Sequence, residues 1–222
     1  RMNTMISPST LQFLKDLEKN NNREWFNENK NHYLEAKEDV ELFIENLIQE
    51  IAQFDEEILK IDPKKAVFRI YRDIRFSKDK TPYKIHFGAS LGMRKGSKIS
   101  GYYIHIEPGK SFLAGGVYNP ESAVLKQIRN EIRANGDDLL KIIEQKDFRN
   151  NFRGLSVEHK LQRVPAGFEK NHPMAEYLKL KSFTVSHPIS NEALFDPNAA
   201  KNFAEILKTI KPLNDFLELP FL

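Results

Sequence analysis

The hydrophobic pattern of this chain changes its period near Asp62-Pro63, and that change constrains the fold more than any other feature. Before it, apolar residues between 40 and 51 recur at i, i+3, i+4, i+7, i+8 and i+11, which indicates an amphipathic helix. After it, apolar and polar residues alternate, which is the period of a β-strand. The proline marks the place where the helical pattern ends, since proline interrupts a helix. The change of period therefore predicts a chain that combines helices with a sheet.

Four segments with strand period follow one another, and turn residues separate them. Short connections of this kind join antiparallel neighbours, so we expect an antiparallel meander. The predicted fold class is α+β, with a sheet of about four strands plus one or two more, packed against N-terminal and C-terminal helices. The four strands are predicted at 67–76, 85–93, 102–107 and 112–118, with turns at 77–82, 94–97 and 108–109, and further strands at 157–164 and 183–187.

Helical patterns lie on both sides of the predicted sheet. They cover a helix from Pro8 to the Asn20-Asn21-Asn22 run, a turn at 23–29, and helices at 33–54, 120–135, 137–145, 171–179 and 197–210. No repeat, low-complexity segment or linker divides the sequence, so a single domain is predicted. It would span 1–222, with N-terminal helices at 7–59, the central antiparallel sheet at 64–118 and a C-terminal α+β part at 119–222.

The composition argues against several classes of site. Without cysteine the chain has no disulfide, no thiolate zinc site and no thiol nucleophile. Its six histidines show no HExxH or comparable metal-ligand spacing, and glycine-rich nucleotide-binding motifs are missing. No apolar run approaches the roughly 20 residues of a membrane-spanning helix, and no secretory signal is recognisable. We therefore expect a cytoplasmic protein with no metal, no cofactor and no membrane partner.

The net charge of +3 conceals an asymmetry along the chain. Residues 1–59 carry a net charge of −7, whereas residues 60–98 carry +9. The middle segment is therefore where an anionic partner would bind. The alternative is that the acidic N-terminal helices simply neutralise it.

The stretch 69–84 concentrates this positive charge in three arginines and three lysines, accompanied by two aspartates and three aromatic residues. Guanidinium groups bind phosphate or carboxylate through two parallel hydrogen bonds, and ammonium and hydroxyl groups add single ones. Asp73 and Asp79 could hold Mg²⁺, but aspartates among so many cations more often form ion pairs. The candidate anion-binding residues are Arg69, Arg72, Arg75, Ser77, Lys78, Lys80 and Lys84.

Strand period also predicts a polar face on the sheet. If each strand packs its apolar side on the helices, the opposite side gathers arginine, histidine, tyrosine and carboxylate groups. These groups suit recognition or acid–base chemistry, and the alternative is a merely solvated face. The candidate acid–base residues are His105, Glu107 and Asp73. The predicted polar face consists of Arg69, Tyr71, Asp73, Arg75, His86, Ser90, Tyr103, His105 and Glu107.

Five blocks of sequence together resemble a known family. They are Asn22–Phe26, Phe68–Lys84, Gly101–Pro108, Gly115-Gly116 and Arg163–Gly167. With these blocks in this order, the chain resembles the uncharacterised bacterial and fungal family named domain of unknown function 2461, from about residue 8 to 220. The resemblance implies a single-domain cytoplasmic protein of α+β type. It implies no activity and transfers no catalytic residues.

Three functions remain open from the sequence. The first is binding of a small phosphorylated or carboxylated ligand, with or without catalysis. The second is a structural or interaction role, in which the arginines and aspartates form internal ion pairs. The third is nucleic-acid binding, with aromatic side chains stacking on bases. The pattern predicts neither the ligand nor the oligomeric state.

Overall fold

A computed structural model describes residues 3–92 and 98–222 of the chain. About half of it is helical, and four antiparallel strands form one sheet, which confirms the α+β class. The sheet has the order β1-β2-β3-β4. Its strands are β1 Phe87–Gly92, β2 Gly101–Ile106, β3 Phe112–Val117 and β4 Phe183–Pro188. The predicted turn at 94–97 and the predicted strand end at Met93 lie outside the described residues.

The described residues form ten α-helices and two short 3-10 helices. Before the sheet these are α1 Pro8–Lys19, α2 Arg23–Glu28, α3 Lys30–Ala52 and α4 Pro63–Ala66, with a 3-10 helix at Glu56–Lys60. Between β3 and β4 lie α5 Ser122–Ile143, α6 Lys146–Asn151 and α7 Ala175–Leu178. After β4 the helices are α8 Asn191–Phe195, α9 Ala199–Lys208 and α10 Lys211–Glu218, with a 3-10 helix at Leu219–Phe221.

The strand alternation predicted for the middle of the sheet is correct. On β2, the side chains of Tyr102, Ile104 and Ile106 are fully buried, while those of Tyr103 and His105 on the other side are only half-buried. The apolar stripe of α3 is likewise buried from Val40 to Ile51, as the helical spacing predicts. Burial of these faces removes apolar area from water, which is the main driving force for assembling the sheet and the helices.

The strand predicted at 67–76 is wrong. With the described residues, this segment makes two isolated bridges, Val67 with Ala89 and Tyr71 with Tyr83, and forms no ladder. Ile70 is buried as expected, but the side chain of Phe68 is 42% exposed. The segment curves into a loop that side chains hold in place, as described below. Consequently the members of the polar face predicted on this segment, which are Arg69, Tyr71, Asp73 and Arg75, do not lie on a strand of the sheet.

Two further expectations are corrected in the C-terminal part. The segment 157–164 forms no strand and contains His159 with a left-handed backbone (φ 58°), which a regular strand does not accommodate. The break predicted at Asn135-Gly136 is a kink within α5, where Asn135 has φ −130° and ψ 36°. Gly136 is required there because an added Cβ would collide with the side chain of Met174.

The close contacts within the chain divide it into two compact units. The first comprises Arg1–Leu91, Tyr103–Leu113 and Pro188–Glu205. In its core, the rings of Phe43 and Phe203 lie 5.9 Å apart, edge to face. The organisation into a single domain stays a prediction.

The second unit comprises Gly92–Tyr102, Ala114–His187 and Ile206–Leu222. Within it, the buried carboxylate of Glu218 accepts hydrogen bonds from the backbone N–H (2.9 Å) and the hydroxyl (2.5 Å) of Ser100. Among the helices of the described residues, none combines the length and apolar character needed to cross a membrane.

Candidate functional site

Four polar side chains gather on one face of the sheet, and we call them the polar cluster: His86, Tyr103, His105 and Glu107. Tyr103 and His105 belong to β2, Glu107 follows it directly, and His86 directly precedes β1. Because side chains two residues apart on a strand share a face, the three residues from β2 onward lie in a row. Since β1 and β2 are neighbours in the sheet, His86 joins the row from the side.

A chain of hydrogen bonds links three members of the polar cluster. The hydroxyl of Tyr103 lies 2.9 Å from Nδ1 of His105, and Nε2 of His105 lies 2.9 Å from Oε1 of Glu107. An ionised carboxylate can only accept. With Glu107 ionised, Nε2 of His105 therefore donates to it, and in the neutral imidazole Nδ1 accepts from the hydroxyl of Tyr103.

The imidazole of His105 is enclosed on both faces by rings. The ring of His86 stacks on one face at 4.2 Å between centroids, and the ring of Phe112 on β3 stacks on the other at 4.7 Å. Burial lowers the pKa of His86 to about 4, with His105 and Lys84 adding to the effect and Glu107 opposing it. His86 is therefore neutral at pH 7, and its nitrogens can act as donor and acceptor, or as a metal ligand.

The side chain of Tyr103 is a neutral phenol at pH 7, and its ring packs against the glycine at position 88. Burial, with a contribution from the Glu107 carboxylate, raises the pKa of Tyr103 to about 12. A Cβ added at Gly88 on β1 would lie 2.5 Å from the Tyr103 hydroxyl oxygen and 3.2 Å from two ring carbons. The absence of a side chain at residue 88 therefore lets the phenol lie against the strand.

A tight turn after β2 fixes the position of Glu107. The hydroxyl of Ser111, which is buried, accepts from the backbone N–H of Glu107 and donates to its carbonyl, both at 2.9 Å. Gly109 within the turn has φ +72°, a conformation that glycine adopts without strain. Ser111 therefore holds the backbone of Glu107, and His105 holds its side chain.

The polar cluster contains a group that could hold a metal ion. His86, His105 and Glu107 each offer one ligand atom, and these atoms lie within 4.8 Å of one another. His86 was not among the candidate site residues chosen from the sequence. The signal that could have identified it is the strand period, which places it on the predicted polar face with His105 and Glu107.

Lys84 lies close to His86, and Arg69 lies close to Lys84. The ammonium group of Lys84 donates a hydrogen bond to the carbonyl of Arg69 at 2.7 Å. Partial burial, with the positive charge of Arg69 adding to it, lowers the pKa of Lys84. Within the described part of the chain, neither side chain forms an ion pair within 4.0 Å, so their charges are not neutralised locally.

The remaining predicted anion-binding residues lie in a loop of residues 72–81, which we call the stapled loop. The guanidinium of Arg72 donates to the carbonyl (2.7 Å) and hydroxyl (2.9 Å) of Thr81 and to the hydroxyl of Ser77 (3.3 Å). Lys80 donates to the carbonyl of Ile74 at 2.7 Å. Side chains thus satisfy backbone carbonyls of the loop, in addition to backbone hydrogen bonds such as that from the N–H of Arg72 to the carbonyl of Pro82 at 2.9 Å.

In the described part of the chain, Asp73 forms no hydrogen bond or ion pair with His105 or Glu107. It accepts two hydrogen bonds from the guanidinium of Arg75, at 2.9 and 2.7 Å, and both side chains are exposed to solvent. The hydrogen bonds from Arg75 lower the pKa of Asp73. Lys78 is exposed on the same loop. The acid–base role of Asp73 and the anion-binding roles of these loop residues stay predictions.

Comparison with known proteins identifies the family of the chain. No curated protein and no solved structure matches it significantly. The sequence model of the family described as "Conserved hypothetical protein (DUF2461)" matches residues 9–216. That match extends over nearly the whole chain, including every block that carries the resemblance. The chain therefore belongs to the DUF2461 family of conserved proteins.

Proposed function

We propose that the protein binds a small anionic ligand, carrying a phosphate or a carboxylate, beside the polar cluster. The observation that carries the proposal is the pair Lys84 and Arg69, two cations without an acidic partner within 4.0 Å among the described residues. An ammonium group has three donors, and Lys84 uses one of them on the Arg69 carbonyl. The other two, and the fork of Arg69, remain for a ligand.

The chemistry of these groups defines the ligand class. A guanidinium presents paired N–H groups that match two oxygens of a phosphate or carboxylate, and an ammonium adds a compact charge. Two like charges held close together repel each other, and a bound anion relieves that repulsion. The surrounding positive segment would attract such a ligand from solution.

The polar cluster gives the ligand neutral hydrogen-bonding partners next to this charge. His86 lies two residues from Lys84 in the sequence, close enough for the Lys84 charge to act on its imidazole. Imidazole and phenol groups can hydrogen-bond to the uncharged part of a ligand and so distinguish between anions of equal charge. Both parts of the proposed site lie within the first compact unit.

A structural role is supported for two arginines of the stapled loop, Arg72 and Arg75. Arg72 uses its guanidinium on the stapled loop itself, and its ion pair is with Asp79 of that loop at 3.5 Å. Arg75 likewise pairs with Asp73. These two arginines fit the structural alternative, whereas Lys84 and Arg69 fit ligand binding.

Nucleic-acid binding is the remaining alternative. The observation in its favour is Phe76, whose side chain is 94% exposed on the stapled loop with the Arg75 guanidinium 5.7 Å from its ring. An exposed ring among cations can stack on an unpaired base. Binding of this kind would weaken steeply with salt.

A thermal-shift titration of metal-stripped protein tests the three functions together. The probes are inorganic phosphate, succinate and a short single-stranded RNA, each at two salt concentrations. A ligand at 100 times its Kd stabilises the fold by about 2.7 kcal/mol. We expect phosphate or succinate to raise Tm, and the rise to be lost in Lys84→Gln and in Arg69→Gln. The matched control is Lys126→Gln, an exposed lysine on α5.

Each outcome decides between the functions. Equal responses in the Lys84, Arg69 and Lys126 variants would refute the proposed site. A response only to RNA that disappears at high salt and in Phe76→Ala would support the nucleic-acid alternative. If no probe raises Tm, small-anion binding of the proposed class is refuted and the structural role is favoured.

A further inference from the structure

The polar cluster combines two imidazoles and one carboxylate in the arrangement used by many metal centres. His105 and Glu107 are two residues apart along β2 and its extension, so they project from the same face. His86 enters from the start of the neighbouring strand. Two histidines and one carboxylate are the ligand set of catalytic zinc sites and of non-haem iron sites, which keep further positions open.

The distances between the ligand atoms are suitable for one ion. Nε2 of His105 lies 2.9 Å from Oε1 of Glu107, and Nδ1 of His86 lies 4.0 Å from the same oxygen. Ligand atoms at about 2.1 Å from a tetrahedral zinc are about 3.4 Å apart. The ring of His86 is the more exposed of the two imidazoles, so it has more room to rotate. A small rotation of that side chain would bring its Nδ1 to the distance from Oε1 of Glu107 that a shared zinc ion requires.

The groups around these three residues have the character of an outer coordination shell. A metal-bound imidazole usually donates its other N–H to a nearby oxygen, which fixes the ring. The hydroxyl of Tyr103 lies at that place, 2.9 Å from Nδ1 of His105. With a metal on Nε2, the imidazole proton resides on Nδ1 and is donated to the Tyr103 oxygen, so the hydroxyl reverses its role.

Ser111 and Phe112 hold the proposed ligand residues in place. Ser111 binds both the N–H and the carbonyl of Glu107, and it thereby fixes the strand end that carries the carboxylate. Phe112 covers the face of the His105 ring opposite His86. Such packing limits the rotamers of a ligand residue before the ion arrives.

We infer that His86 Nδ1, His105 Nε2 and Glu107 bind one divalent transition-metal ion and leave at least one position for water or a ligand. Two imidazole ligands favour zinc, iron or cobalt over Mg²⁺ and Ca²⁺, which prefer oxygen. This site goes beyond the proposed anion binding and does not require it. A bound ion would nevertheless offer an anion a direct ligand position beside Lys84.

Isothermal titration of the metal-stripped protein with Zn²⁺ tests the inference without any anion. We expect saturable binding of one Zn²⁺ per chain and no comparable binding of Mg²⁺. Co²⁺ should give the visible absorption bands of a low-symmetry site. Glu107→Gln and His86→Ala should each weaken Zn²⁺ binding at least about 100-fold, since each removes a ligand. Tyr103→Phe should weaken it roughly 10- to 100-fold, as loss of an outer-shell partner does.

His159→Ala is the matched control, because His159 is an exposed histidine that lies next to the carboxylate of Glu158. It should leave the affinity and the stoichiometry unchanged. Glu107→Gln retains an oxygen that accepts from His105, and circular dichroism of the metal-free variants checks that each one folds. Absence of saturable Zn²⁺ binding, or equal losses in His159→Ala and His86→Ala, would overturn the site. Phosphate titrations of the same metal-free variants show independently whether the anion proposal stands.

Discussion

The stapled loop and the polar cluster are both dense in ionisable groups, yet they use them differently. In the stapled loop, Asp73 and Asp79 are exposed and their carboxylates pair with neighbours a few residues away. In the polar cluster, the groups are partly buried, and hydrogen bonds along β2 combine with ring stacking by His86 and Phe112 from the neighbouring strands. The loop therefore uses charge to hold its own backbone, whereas the cluster holds partly desolvated groups in a fixed geometry. Charge density along a sequence does not by itself identify a reactive site.

The dependence of stability on pH should distinguish the polar cluster from the stapled loop most clearly, because the polar cluster contains the partly buried His86. Burial lowers the pKa of His86 from 6.5 to about 4. The unfolded chain therefore binds a proton at His86 below pH 6.5 that the folded protein does not bind until about pH 4. This group contributes stability above pH 6.5 that is lost as the pH falls towards 4, so the free energy of unfolding should rise with pH across that window. NMR titration of the metal-stripped protein measures the pKa of His86. Urea denaturation at several pH values measures how the free energy of unfolding changes with pH, and His86→Gln is expected to reduce that change.

Gly88→Ala should show how closely the polar cluster is packed. The new methyl group would lie 2.5 Å from the Tyr103 hydroxyl oxygen, so we expect a loss of about 1–3 kcal/mol in unfolding free energy. Tyr103→Phe removes that oxygen, and the double variant should be more stable than the sum of the two single effects predicts. Urea denaturation of the four proteins measures the coupling. Strict additivity would contradict the proposed contact.

Arg72→Ala should reveal whether one side chain holds the stapled loop together. It removes charge-assisted hydrogen bonds to Thr81 and Ser77, and because the group is partly exposed we expect a loss of roughly 1–2 kcal/mol. Arg72→Lys keeps the charge but not the planar fork, so it should recover little of the loss. Full recovery by lysine in urea denaturation would show that charge alone matters there.

Arg75→Ala should have the smallest effect of the series. Its ion pair with Asp73 is exposed to solvent on both sides, and such pairs contribute little to stability because water and salt screen them. We expect the Tm to match that of the unchanged protein, and anion binding at Lys84 and Arg69 to persist. A marked fall in Tm would instead show that this pair stabilises the loop as strongly as Arg72 does.

Much of the fold could be predicted from the sequence because it depends on local periodicity. The stripe of α3 and the alternation of β2 each follow from the geometry of one element. The same reasoning was wrong at 67–76, where alternation is present but no neighbouring strand completes a ladder. Hydrogen bonds from Arg72 to residues five to nine positions away decide that local structure, and no period reports them.

For the candidate site, the sequence by itself determined which residues share the polar side of β2, because strand geometry places Tyr103, His105 and Glu107 on one face. Only the tertiary structure decided that the ring of His86, which precedes β1, stacks on that of His105 on β2. Contacts between strands depend on their order and register, and these are set by the packing of the whole sheet. Pairing between β1 and β2 therefore brought His86 beside His105, after the local pattern had supplied the candidates.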